Sequence, residues 1–256
     1  MLAIERRNKI LAILQKENRV LVSDLSKAFD VTEETIRRDL EKLEQEGLAK
    51  KTYGGAIATE NAYADQPFTV RKTSNVLKKQ AIAEIVASII QDGDHIMLDS
   101  SSTCGYIAKQ LKNKKNLTII TNSVEILVDA TETSGWKVIS TGGLLREGSL
   151  SLLGHQAEQV VSNYHVDKAI ISCKGVDLER GISDSTELEA YIKQQMMSSA
   201  NTTILAVDSS KLEKTSFIKI CDLNKVDVIV TDEVPDESWN EVMASKNVEL
   251  ITKVNA

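Results

Sequence analysis

Cysteine is scarce: three residues in 256, Cys104, Cys173 and Cys221. The number is odd and the spacing fits neither a redox pair nor a metal site. A disulfide framework is therefore excluded, and reduced thiols in a cytoplasm are expected. Histidine is equally rare, and His95, His155 and His165 lack metal-ligand spacing, so no metal and no resident cofactor are expected. No apolar run approaches the length that crosses a bilayer. The first residues, "MLAIERRNKILAILQKEN", lack a signal peptide's basic head, apolar stretch and small-residue cleavage site. No membrane partner is expected. A uniformly basic surface is also missing, since the formal net charge is −6. Nucleic acid stays open, because it needs only a local basic surface.

The charge that is present is uneven. Residues 1–57 carry 11 Lys and Arg against 10 Asp and Glu, and the rest carry 20 against 27. A near-neutral head on an acidic body points to two modules with different partners.

In the head, Ile4, Ile10, Leu11 and Leu14 have helical spacing, and Asn18 follows as a left-handed stop. "RVLVS" is a short alternating piece, with Ser23 as the expected cap of a two-turn helix through Phe29. "DV" makes a tight turn. Thr32 then caps "TEETIRRDLEKLEQEG", in which Ile36, Leu40 and Leu43 recur at i, i+4 and i+7 and Gly47 is the stop. "LAKKTYGGAIA" has strand-like ends around Gly54–Gly55. Three short helices and a ribbon match a winged helix-turn-helix. With Ile36, Leu40 and Leu43 inward, Thr35, Arg37 and Arg38 project from the half of a recognition helix that meets base edges. Lys50, Lys51 and Tyr53 lie in the ribbon, where wings meet phosphates. On their own, the two arginines are better explained by a solvated amphipathic helix with i, i+4 ion pairs. The run from helix to wing decides for DNA.

Residues 6–56 resemble the DNA-binding domain of the DeoR family of bacterial transcription regulators. Arg6, Ile10, Leu14, Val20, Val22, Leu25, Phe29 and Val31 carry the spacing, continued by "TIRRDLEKLEQEGLAKKTYGGA". Asn18, Lys51 and Tyr53 stand where the family usually has Gly, Arg and His. The resemblance implies a DNA interface built on Thr32, Thr35, Arg37, Arg38, Lys50, Lys51 and Tyr53.

"TENAYADQPFTVRKTSN", residues 59–75, has little periodicity and contains Pro67, one of two prolines. It reads as a linker between a DNA-binding domain at 1–58 and a second domain at 76–256, partly packed on the latter through Phe68. From Val76 a helix is expected up to Gly93. Apolar runs then alternate with helices at 102–113, 123–133, 156–163 and 185–200. The strands expected are "HIMLDS", "LTIIT", "WKVIST", "VDKAIISCKG", "TTILAVD" and "VDVIVTD". Short apolar runs separated by helices imply an α/β domain with a mostly parallel sheet, covered on both faces. Ligands of such sheets bind beyond the carboxyl ends of the strands. Polar residues gather there: Asp99 with Ser101, Ser102 and Thr103; Thr121 and Asn122; Gly142 and Gly143; Lys174 and Asp177; Asp208 and Lys211. Hydroxyls and amides at a helix start suit a phosphate, and carboxylates suit sugar hydroxyls. Each motif has a plain alternative: Gly142–Gly143 as a turn, Asp177 as a bend cap, Asp208–Lys211 as a surface pair.

"LDSSST", "TNS", "TGGLLR", "GHQAE", "VDKAIISCKGVD", "GISDSTELEAYIK" and "AVDSSK" are similar to the effector-binding domain of the same family, which is related in fold to ribose-5-phosphate isomerase. The resemblance implies a homo-oligomeric repressor of a carbohydrate catabolic operon, released from its DNA operator by a phosphorylated sugar held by those strand-end residues. The alternative is a sugar-phosphate isomerase-like enzyme with an accessory DNA-binding head, with Asp177, Glu187 or Glu189 as general base.

Overall fold

The computed structural model describes residues 1–58, 66–234 and 236–253. The chain divides into two compact units, Met1–Ser74 and Asn75–Ala256.

The first unit opens with α1 (Ala3–Glu17), β1 (Arg19–Leu21), α2 (Val22–Phe29) and α3 (Glu33–Gln45). An antiparallel ribbon follows, β2 (Ala49–Thr52) and β3 (Gly55–Ala58), and β1 joins it in the order β1-β3-β2. The stops lie where the sequence puts them. Asn18 (φ 59°) and Asp30 (φ 51°) end α1 and α2 in the left-handed region. Thr32 caps α3 by accepting from the Thr35 amide at 3.3 Å. Beyond α3, Gly47 (φ 71°) donates to Glu44 O and Leu48 to Leu43 O, the paired bonds of a Schellman stop. Ser23 does not cap α2 as expected. That helix starts one residue before it, and the Val22 amide instead donates to Gly54 O in the ribbon turn at 2.9 Å. Gly55 is needed because β1 presses on β3: a Cβ there would sit 1.8 Å from Val20 O.

Ile10, Leu14, Val20, Leu25, Ile36, Leu40 and Leu43 form the head's core. The stretch expected to link the domains departs from expectation. Residues 68–73 form α4 (Phe68–Thr73), which packs on α1 and places Val70 in the head core. The reason is burial of two apolar side chains, Phe68 and Val70, on one helical turn. Residues 59–65 of that stretch lie outside the described residues.

The second unit alternates helices and strands. α5 (Val76–Ile89) and β4 (His95–Leu98) lead into α6 (Ser102–Gln110), β5 (Thr118–Thr121), α7 (Val124–Ala130) and β6 (Lys137–Ser140). A hairpin of β7 (Leu144–Arg146) and β8 (Ser151–Leu153) precedes α8 (His155–Ser162) and β9 (Val166–Ile171). β10 (Gly175–Asp177), β11 (Gly181–Asp184), α9 (Glu187–Ser198), β12 (Ala200–Ala206), β13 (Ile218–Cys221), β14 (Val228–Val230), α10 (Ser238–Ser245) and β15 (Glu249–Ile251) complete it. Seven strands form one sheet in the order β15-β14-β12-β9-β4-β5-β6, and every pairing in it is parallel. The two-residue period of each strand divides the core. Met97, Ile120, Ile171, Leu205 and Ile229 meet Ala157, Ala190, Met196 and Trp239 on one face. Ile96, Leu98, Ile119, Ile170, Ile204 and Val230 meet Ile82, Val86, Ile107 and Ile126 on the other. All six expected strands form. The β7–β8 hairpin, the small β10-β11-β13 sheet and β15 were not expected, since strands this short carry little periodic signal.

Candidate functional site

Two sets of residues were expected to carry function, one in each unit. In the head, the set lies on α3 and the ribbon. The dipeptide Arg37–Arg38 is split by the helical pitch, about 100° per residue. Arg37 is half exposed and pairs with Glu33 at 2.6 Å, one turn back. Thr32 and Thr35 share a hydroxyl hydrogen bond at 2.9 Å, which fixes the start of the helix. Glu41 and Glu44 continue the Glu33–Arg37 side of the helix and hold the ribbon. Lys51 donates its backbone amide to Glu44 Oε1 at 2.8 Å and its ammonium to Glu41 Oε1 at 3.2 Å. Lys51 therefore braces the ribbon on α3. Lys50 is exposed on β2, and Tyr53 is fully exposed at the tip.

One element of the head escaped sequence reading. Arg6 of α1 and Asp39 of α3 form a buried ion pair at 2.5 Å, with Arg7 4.0 Å from the same carboxylate. A signal was available: the wheel of Ile36, Leu40 and Leu43 places Asp39 on the inner face, where a carboxylate is rare unless paired.

In the second unit, β4 is flanked by β5 on one side and β9 on the other, so the strand order reverses between β4 and β9. This is the switch point at which open α/β sheets bind ligands. Asp99 sits there and is fully buried. Its Oδ1 accepts from the Ser101 amide at 2.9 Å and its Oδ2 from the Ser172 amide, beyond β9, at 2.8 Å. Ser101 caps α6 by accepting from the Cys104 amide. The amides of Ser102 and Thr103, in the first turn, have no acceptor within their own helix. Both residues are buried. Asn122, at the end of β5, donates to Ser100 Oγ at 3.4 Å and Leu152 O at 3.3 Å, while its buried Oδ1 has no partner among the described residues.

The other expected residues have mixed placements. Thr121 donates to Leu98 O and accepts from the Ser123 amide, so its hydroxyl joins β5 to β4. Gly142 (φ 61°) is exposed with open space around it, whereas Gly143 (φ 102°) would put a Cβ 2.6 Å from Leu153 O. The close approach at Gly143 is to the chain's own hairpin. Lys174 donates its amide to Ser183 O, and its charge acts on Asp184. Asp177 accepts from the amides of Glu179 and Arg180 and so closes the β10–β11 turn. Asp208, at the end of β12, is buried; it caps the turn Ser209–Lys211 and accepts from Asn75 Nδ2 at 3.0 Å. Lys211 acts electrostatically on the Cys173 thiol beyond β9. Asp99, Asn122, Lys174 and Asp208 thus all follow carboxyl ends of strands in one parallel sheet.

A second group was missed. Lys193 of α9 is buried between Asp184, in direct ion-pair contact, and Asp99 at 3.7 Å. Burial penalises its ammonium, but Asp184, Asp99 and Glu189 outweigh that and hold it above the usual lysine range. Burial likewise opposes the Asp184 carboxylate; Lys193 and Lys174 outweigh it and hold the group below the usual range. Glu189, one turn before Lys193, accepts from Ser151 Oγ at 2.9 Å and lies 3.4 Å from Arg146. The sequence shows Lys193 only as part of an amphipathic helix, and Glu189 entered there only as a general base of the enzyme alternative.

The comparisons with known proteins decide the family. The profile described as "DeoR-like helix-turn-helix domain" matches residues 6–62, and "DeoR C terminal sensor domain" matches residues 74–233. The chain belongs to the DeoR family. This DeoR-family protein is a DNA-binding transcriptional regulator with a sensor domain for a small-molecule effector. It is 41% identical over 250 residues to the HTH-type transcriptional regulator YulB of Bacillus subtilis, covering 98% of this chain and 96% of that protein. It is 34% identical over 247 residues to the HTH-type transcriptional repressor GlcR of the same organism, covering 96% and 95%. To the L-fucose operon activator of Haemophilus influenzae it is 34% identical over 232 residues, covering 90% and 93%. Ribose 5-phosphate isomerase A of Methanocaldococcus jannaschii overlaps 55% of this chain and 56% of its own at 20% identity and a TM-score of 0.40. No helix among the described residues is long and apolar enough to cross a membrane.

Proposed function

We propose that this DeoR-family protein is a cytoplasmic repressor of a carbohydrate catabolic operon, released by a phosphorylated sugar bound at the carboxyl edge of the parallel sheet. One observation carries the effector reading. At the switch point, the first-turn amides of α6 stand beside a buried carboxylate, Asp99, and a buried acceptor without a partner among the described residues, Asn122 Oδ1. Helix-start amides suit phosphate oxygens, and Asn122 Oδ1 and Asp99 suit donating hydroxyls of a polyol. Lys174 and Lys211 add positive charge near the β9 end. Thr35, Arg37 and Arg38 read the operator, with Lys50, Lys51 and Tyr53 on the ribbon. Two heads on two half-sites require a homo-oligomer, because one head's footprint is too small for tight specificity. The relatives named a repressor and an operon activator show that both signs of regulation occur among similar chains.

The test is a titration of labelled operator DNA, followed by anisotropy, with a panel of sugar phosphates and their unphosphorylated sugars. One phosphorylated member is expected to release the DNA and to raise the protein's thermal midpoint. If every member of the panel leaves both readings unchanged, the effector assignment is wrong.

A further inference from the structure

We propose that the groove between α1 and α3 is a second backbone-phosphate site, in which Arg7 and Lys42, beside the operator-reading Arg38, grip the DNA strand opposite the one met by the ribbon. The groove holds about 380 Å³ and is lined by Arg6, Arg7, Thr35, Arg38, Lys42 and two carboxylates, Asp39 and Glu41. Both carboxylates have cationic partners. Asp39 is matched by the buried Arg6 at 2.5 Å, and Glu41 by Lys51 of the ribbon at 3.2 Å. Three cationic side chains remain along the groove. Arg38 and Lys42 are exposed, and the Arg7 side chain keeps a quarter of its surface accessible. Arg7 lies 4.0 Å from Asp39, a carboxylate already matched by Arg6, and no lining residue forms an ion pair with Arg38 or Lys42, so the groove keeps an excess of positive charge suited to an anion.

The geometry selects which anion. A helix lying in the major groove, about 12 Å wide, has a sugar-phosphate strand on each side. On α3, Glu33, Arg37, Glu41 and Glu44 form the flank that carries the ribbon. Thr35, Arg38 and Lys42 follow one another at i, i+3 and i+7 on the other flank, facing α1. The ribbon serves one strand, and the α1 groove is placed for the other. The buried Arg6–Asp39 pair gives the groove its rigidity, since it ties α1 to α3 where Arg7 leaves the helix. Neither Arg7 nor Lys42 stands out in the sequence. Only the packing of α1 on α3 brings them together with Arg38.

This inference rests on the DNA-reading assignment of α3, so the experiment separates the two. Operator binding by full-length protein would be measured from low to high salt for wild type, Arg7→Ala, Lys42→Ala, Lys9→Ala and Arg37→Ala. Lys9 is exposed on α1 and outside the groove lining, so it removes equal charge elsewhere on the head. Arg7→Ala and Lys42→Ala are each expected to weaken operator and unrelated DNA by the same factor. Each is also expected to reduce the slope of log affinity against log salt by about 0.9 for each bound head, while Lys9→Ala keeps the wild-type slope. Slopes for Arg7→Ala and Lys42→Ala equal to that of Lys9→Ala overturn the groove site, even if Arg37→Ala loses sequence preference as the reading helix requires. A loss of sequence preference in Lys42→Ala also overturns it, because a phosphate contact carries no sequence information. Absence of any sequence preference in wild type refutes the reading helix itself, and the groove with it. Thermal midpoints of all variants identify any that lose the fold; if Arg7→Ala does, Arg7→Gln is read in its place, and Arg7→Lys, which keeps the charge, is expected to keep the wild-type slope.

Discussion

Lys193 is the residue whose loss should cost most. It lies between two buried carboxylates, and removing one member of a buried ion pair leaves charge uncompensated. Lys193→Met is expected to destabilise the sensor unit by about 3–5 kcal/mol, read from the midpoint of urea unfolding. The pH dependence follows from the directions of the shifts. Asp184 is held below its unfolded value, so its contribution is complete above that value and disappears as pH falls through the folded one. Lys193 is held above its unfolded value, so its contribution is complete below that value and disappears only as pH rises through the folded one. This pair therefore adds no slope to stability between these limits, across the neutral range. Acid unfolding below about pH 4 should be weaker in pH dependence in the Asp184→Asn/Lys193→Met double variant, a comparison made by circular dichroism along a pH series. The cysteines give a separate test. Burial pushes the Cys173 and Cys221 thiols up to about 12 and Cys104 well above its ordinary value. Native protein at pH 8 should resist iodoacetamide at all three, and mass spectrometry would show labelling only after denaturation.

At the scale of elements, α3 is fixed by three local devices: the Thr32 cap, the apolar i, i+4, i+7 stripe and the Gly47 stop. All three were legible, because each acts within a turn of the chain. Thr32→Ala is expected to cost the head about 1 kcal/mol, seen as a lower unfolding midpoint. Arg37→Ala is expected to weaken operator binding by about 1–3 kcal/mol with relaxed preference at one base position. A footprint identical to wild type would remove Arg37 from the base-reading set. The ribbon's attachment was not legible. Lys51 looks like any phosphate-binding lysine, yet both its amide and its ammonium are directed at glutamates of α3. Ser23 failed as a cap for a related reason: a backbone carbonyl distant in sequence, that of Gly54, supplies the helix start with its acceptor.

For the whole molecule, regulation requires that effector occupancy alter the fit of the heads to DNA, which is a coupling between two sites. If the bound effector and operator exclude each other, the dependence is reciprocal: saturating operator should weaken sugar-phosphate binding by the same factor that sugar phosphate weakens operator binding. Calorimetric titration of the effector with and without operator duplex checks this, and equal affinities in the two titrations would rule out allosteric release.

The alternation of apolar runs and amphipathic helices determined a parallel sheet covered on both faces, because burial on two sides favours near-continuous apolar runs in the strands. Turn and cap residues determined the head, and "TIRRDL" with its following ribbon determined the family. What the tertiary structure alone decided is which polar residues work together. Asp177 and Thr121 are used to hold backbone, whereas Asp99, Asp184 and Glu189 act together on Lys193 of α9. Likewise, Arg6 finds Asp39 across 33 positions. The reason is that periodicity reports which face of an element is buried, while an ion pair or a shared hydrogen bond depends on which faces the packing sets opposite each other.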